Sequence, residues 1–123
     1  ECFKKDLARQ GNSYIKKEAF RWQPRRSMNS KVNQAIQQHR HLIFDYLSIG
    51  GESSSGRLAQ AHYAFIPKTG REILLSFDLD RDNWRCFWIN GMSDIVIGDK
   101  YNFDREATIE SLRKVLSGVE IDV

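Results

Sequence analysis

Between Leu42 and Gly98 the sequence sets five short runs of β-forming residues between four turn-forming breaks. No other part of the chain limits the fold so strongly. The runs are Leu42–Ser48, Arg57–Ile66, Ile73–Leu79, Trp84–Asn90 and Asp94–Gly98. The breaks are the Gly/Ser segment Gly50–Gly56, Pro67–Gly70, Asp80–Asn83 and Gly91–Ser93. Gly, Pro, Asn, Asp and Ser each favour turns for a different steric or hydrogen-bonding reason. The gaps are too short for crossover helices, so antiparallel pairing is expected and a βαβ sheet is not. In the second run Ala59, Ala61, Tyr63 and Phe65 are expected on one face, with Gln60 and His62 on the other. Leu58, Ala64 and Ile66 spoil the alternation, which calls for a bulge or a covered second face.

Helices are expected on both sides of this block. Ser30 is placed to cap a helix Lys31–Arg40, with Val32 and Ile36 on a narrow apolar face. Asp104 is placed to cap a C-terminal helix with the stripe Ile109, Leu112, Val115 and Leu116, and Gly118 is its stop. Phe3–Trp22 has mixed helical character broken at Gly11-Asn12, and Gln23-Pro24-Arg25-Arg26 ends it. The fold class expected is α+β: a small SH3-like (Sm-like) antiparallel barrel of about five strands with N-terminal helices and a C-terminal helix.

Charge divides the chain. Residues 1–31 hold nine Lys and Arg against three acids, a net +6, whereas the whole chain is +3. The other 92 residues are therefore −3, with 10 of the 19 bases and 13 of the 16 acids. The expected organisation is a basic, partly helical arm over 1–29 and a barrel domain with its helix over 30–123. Such an arm suits nucleic acid or an acidic partner, and it equally suits a solvated surface. With 41% hydrophobic residues, 14 Phe, Trp and Tyr among them, general disorder is excluded. No apolar run reaches the ~20 residues of a membrane span, so no membrane partner is expected. Cys2 and Cys86 lack metal or disulfide spacing and read as free thiols of a cytoplasmic protein.

Catalytic chemistry is poorly supported. His39 and His41 flank Arg40 with no third metal ligand near them. His62 is isolated, and Cys86 lies within an apolar strand. Asp78, Asp80 and Asp82 alternate at a turn, where a cation or plain turn chemistry both fit. No glycine motif of phosphate-loop or dinucleotide type occurs. The reading is non-enzymatic, with no metal and no cofactor.

The ordered fragments over Val32–Phe103 resemble the WYL domain, a ligand-sensing module of bacterial and phage regulators. Ala35-Ile36-Gln37-Gln38-His39-Arg40 matches the family's helix ending, and Phe44-Asp45-Tyr46-Leu47-Ser48 its Tyr-x-Ser strand. Arg57 matches the arginine that opens the next strand. Asp78-Leu79-Asp80-Arg81-Asp82-Asn83-Trp84-Arg85-Cys86-Phe87 closely follows the phrase Asp-Leu-Asp-Arg-Asp-x-Trp-Arg-x-Phe. Two departures stand out. The Trp-Tyr-Leu position reads Glu72-Ile73-Leu74, and the phrase Phe-Arg-x-Asp-Arg-Ile reads Phe87-Trp88-Ile89-Asn90-Gly91-Met92. Two arginines of the family's anion-binding pocket are thus Trp88 and Gly91 here. The 31 residues before Val32 show no helix-turn-helix pattern.

The resemblance implies a regulatory module for an anionic ligand, such as single-stranded nucleic acid or a nucleotide, that modulates a partner or transcription. The candidate binding residues are Tyr46, Arg57, His62, Arg85 and Trp88: cations to hold phosphate and rings to stack on bases. The competing expectation is a protein-interaction or oligomerisation domain, a homodimer among its forms, with an inactive pocket. A toxin-immunity inhibitor is a further class, and a bacterial defence locus would suit the regulatory reading.

Overall fold

The computed structural model describes residues 27, 29–66 and 70–115, the side chains of 113 and 115 excepted. The basic arm, apart from Ser27 and Asn29, lies outside the described residues. So do the expected breaks at 23–26 and 67–69 and the helix stop at Gly118.

The element order is α1 (Ser30–Gln38), β1 (Arg40–Leu47), β2 (Ser53–Phe65), β3 (Ile73–Asp78), β4 (Asn83–Trp88), β5 (Met92–Lys100) and α2 (Arg105–Val115). A single 3₁₀ turn, Ile89–Gly91, links β4 to β5. The strands form one sheet in the order β4-β3-β2-β1-β5, and every pair is antiparallel. The α+β class and the five antiparallel strands are as expected. Closure is not: among the described residues no ladder joins β4 to β5, and both are edges of an open sheet. The barrel expectation is therefore corrected to an open sheet flanked by helices.

Local chemistry sets the ends of the elements. Asn29, not Ser30, caps α1, because its Oδ1 accepts from the amides of Lys31 and Val32, both at 3.1 Å. The helix stops at Gln38, two residues before the expected end, because His39 turns into the left-handed region at φ 54°. Arg40 can then enter β1. At α2, Asp104 Oδ1 accepts from the amides of Glu106 (3.0 Å) and Ala107 (3.1 Å), the capping role its position predicts. The Ser53-Ser54-Ser55 run expected as loop is strand, since Tyr46 and Leu47 pair with Ser54 and Ser53.

The expected bulge is real and falls between Ala61 and Tyr63. It reverses the facing of the strand. Ala59, Ala61 and Ala64 share the face of Asp78, Ser76 and Leu74, while Tyr63 and Phe65 pair with Leu75 and Ile73 on the opposite face. The expected single row of Ala59, Ala61, Tyr63 and Phe65 is therefore split. On the inner face Val32, Ala35 and Ile36 of α1 pack on Leu42, Phe44, Ala59, Ala61, Leu74 and Phe87. Alanines let the helix approach closely. On the outer face Trp84 Nε1 donates to Ser111 Oγ of α2 at 2.9 Å, and Ile109 and Leu112 are buried there. No described helix is long and apolar enough to cross a membrane.

Candidate functional site

The inner face carries a polar corner beside its apolar core. Cross-strand pairing sets Phe44 opposite Arg57, Ala59 opposite Asp78, and Ser76 opposite Arg85. Alternation along β4 adds Phe87 to the same face. Arg57 and Asp78 are both buried, and Arg57 Nη2 lies 2.5 Å from Asp78 Oδ2. Arg57 Nη1 donates to Ser54 Oγ at 3.0 Å. The other carboxylate oxygen of Asp78 accepts from the Asp80 amide at 3.0 Å. Two more guanidinium groups face the same Oδ2: Arg81 Nε at 3.7 Å and Arg85 Nε at 3.9 Å. Arg57 and Arg85 also lie over the Phe87 ring, at 5.1 and 6.0 Å from its centroid. Such cation–π contacts strengthen as water is excluded.

Tyr46 joins this group through its ring, which meets Phe87 edge-on at 4.9 Å. Its hydroxyl accepts from the Trp88 amide at 2.9 Å, tying β1 to the end of β4. Trp88 itself falls on the face opposite Arg85 and Phe87, by alternation along β4. Of the five residues expected at the site, three gather here: Tyr46, Arg57 and Arg85. Trp88 touches the group through its backbone.

His62 is elsewhere. It is buried on the outer face among Trp84 (4.8 Å), Tyr101 (4.9 Å) and Phe103 (6.0 Å). Burial, and secondarily the charge of His39, lowers its pKa to about 3, so it is neutral at ordinary pH. Tyr101 reaches across to the Ala61 carbonyl at 2.5 Å, and burial raises its pKa. His39 stacks on Phe103 at 4.3 Å, and burial lowers its pKa as well. These rings join the segment after β5 to the sheet.

Sequence reasoning missed Asp78, Arg81 and Phe87 as members of the site. Asp78 and Arg81 lie within the acidic turn phrase, but nothing in their spacing showed that one carboxylate would gather three arginines. A separate open groove lies between the start of α1 and β5, lined by residues including Asn29, Lys31, Ser93 and Asp94. Lys31 Nζ donates to the Ile95 carbonyl there at 2.9 Å. None of the expected site residues lines it, so the arginine corner, with its charge and rings, is the stronger site.

A family model, the WYL domain, matches residues 28–97, more than half of the chain. The chain belongs to the WYL domain family. The match covers α1 and the strands up to Ile97, including every residue of the arginine corner. No curated protein matches the sequence. Among solved structures, the chain is similar to proteasome accessory factor B/C (PafBC) of Arthrobacter aurescens, with 15% identity and a TM-score of 0.50. The likeness covers 55% of this chain and 10% of that one, and it supports the fold alone. The chain thus spans a small part of the length of its structural relative.

Proposed function

We propose that this WYL domain binds an anionic ligand, single-stranded nucleic acid or a nucleotide, at the arginine corner and relays its occupancy to a partner or to transcription. The observation that carries this reading is the group of three arginines around Asp78, laid partly on the Phe87 ring. Among the described residues Asp78 is the one acid within 4 Å of these guanidinium groups, and its close bond goes to Arg57, so Arg81 and Arg85 keep donors for an anion. The rings of Phe87 and Tyr46 beside it offer a stacking surface, as single-strand binding requires. Trp88, which replaces a family arginine, leaves the phosphate contact to Arg85 and Arg81. His62, buried on the other face, is left out of this reading of the site. The basic arm adds long-range attraction.

A fluorescence titration with short oligonucleotides across a salt series tests the reading. Affinity is expected to fall with salt, because phosphate neutralisation releases counterions. Arg85→Ala is expected to weaken binding and flatten the salt slope. An absence of binding at low salt overturns the nucleic-acid reading.

A protein-interaction role has one observation in its favour. On the outer face Leu58, Ile43 and Val96 lie side by side across β2, β1 and β5, and Ile43 and Val96 are 38% and 55% exposed. An apolar row beside an edge strand suits pairing with a second protein surface.

A further inference from the structure

The arginines of the corner differ in how fully they are used. Arg57 is 8% exposed, with one nitrogen on Asp78 and another on Ser54. Its ion pair with Asp78 is neutral in sum. Arg85 and Arg81 come no closer than 3.9 and 3.7 Å to the same oxygen. A charge-assisted N–H···O bond needs about 2.7–2.9 Å. Arg85 Nε is moreover buried and has no hydrogen-bond partner. A buried donor without an acceptor costs desolvation energy that a ligand oxygen would recover. The Arg81 side chain, on the β3–β4 turn, is 57% exposed, and that of Arg85 is 26% exposed. Both side chains are therefore partly open to solvent, although Arg85 Nε itself is buried. Of the nearby acids, Asp80 points an oxygen at the Leu58 amide (3.4 Å), and Asp82 is exposed on the turn.

We propose that Arg81 and Arg85 form a two-pronged phosphate fork that prefers the dianionic terminal phosphate of a nucleotide or oligonucleotide to an internal phosphodiester. Arg57 is its positioning residue, and the neutral Arg57–Asp78 pair is its floor. The inference rests on the anionic-ligand reading above and names the ligand group that is held. Two guanidinium groups that make no close ion pair match a phosphomonoester, which carries about −1.5 to −2 near pH 7. An internal diester carries a single negative charge, about half to two-thirds of that. Guanidinium also suits the task geometrically, because its planar fork presents paired donors to phosphate oxygens.

The test uses the full chain and a thymidine pentanucleotide labelled at its 3′ end, with either a 5′-phosphate or a 5′-hydroxyl. Fluorescence anisotropy is expected to show binding roughly ten-fold tighter for the phosphorylated form, the scale of one charged hydrogen bond. Arg81→Gln and Arg85→Gln are each expected to remove most of that advantage. Arg81 is exposed, so its variant should keep the parent melting temperature. Equal binding of the two oligonucleotides, or an advantage that survives both variants, overturns the fork. Inorganic phosphate supplies an independent readout through the NMR signal of the Arg85 Nε–H group. If that signal moves while neither oligonucleotide binds, the fork stands and the nucleic-acid reading falls. If the oligonucleotides bind and the signal stays still, the fork falls and that reading stands.

Discussion

Arg57 on β2 and Asp78 on β3 form an ion pair of 2.5 Å on the inner face of the sheet, where the Asp78 side chain is 1% exposed. The pair joins two strands near the point where β3 turns toward β4. Removing one member of a buried pair strands the other charge, at a cost of about 3–5 kcal/mol. Arg57→Ala is expected to lose about that much in urea denaturation. Asp78→Ala is expected to lose a similar amount, because it leaves three arginines facing one another. The double variant Arg57→Met with Asp78→Leu should lose less than the two losses added together. A double variant whose loss equals that sum would show that the two residues are not coupled.

The corner's apolar support has a steric limit at Gly91. A Cβ built there would lie 2.2 Å from the Leu47 carbonyl oxygen and 3.2 Å from the Tyr46 ring. The first neighbour is backbone and cannot swing away. Gly91→Ala is therefore expected to push the 3₁₀ turn from β1, break the Trp88–Tyr46 hydrogen bond and destabilise the chain by about 1–3 kcal/mol, as overpacking does. Thermal melting reads the loss. Gly50→Ala meets nothing closer than 3.8 Å and serves as the tolerated control.

Stability should fall in mild acid because of His62. Its folded pKa of about 3 lies below the ordinary value of 6.5, so the unfolded chain takes up the proton first. The stabilisation is complete above about pH 6.5 and is lost progressively toward pH 3. For this one group the slope is at most about 1.4 kcal/mol per pH unit. His39, lowered in the same direction, adds to the trend. Urea denaturation from pH 7.5 to 4.5 should show the decline, and His62→Phe should flatten it. An unchanged slope in that variant would assign the acid sensitivity to other groups.

At high pH the sign reverses for Tyr101. Burial raises its pKa above the ordinary value of 10.0, so the fold holds the phenol neutral while the unfolded chain ionises first. The stabilisation is present below about pH 10 and is lost as pH rises beyond it. Tyr101→Phe removes this alkaline loss. It also leaves the Ala61 carbonyl without the hydroxyl, at a cost of about 1–3 kcal/mol at neutral pH.

The outer apolar row makes a separate prediction. If Ile43 and Val96 form an interface, light scattering should show a dimer in the parent chain and a monomer for Val96→Lys. Oligonucleotide affinity should be unchanged in the variant, because the row and the arginine corner lie on opposite faces. A parent chain that stays monomeric at high concentration removes the interaction reading.

The sequence by itself determined the strand count, the antiparallel pairing, both described helices and the family. Each is written in short-range signals: β-forming runs, turn residues, capping side chains and an ordered set of phrases. It also located Arg57 and Arg85 as binding candidates through those phrases. What it could not set was the facing of side chains across distant strands. The bulge at His62 turns Tyr63 and Phe65 away from Ala59 and Ala61, and one inserted residue is enough because side chains alternate with a period of two. His62 was legible as a lone histidine, yet its burial among Trp84, Tyr101 and Phe103 depends on the return of the chain after β5. Asp78 looked like part of an acidic turn. Only the register of β2, β3 and β4 brings its carboxylate among Arg57, Arg81 and Arg85, because pairing across a sheet joins residues that sequence distance does not relate.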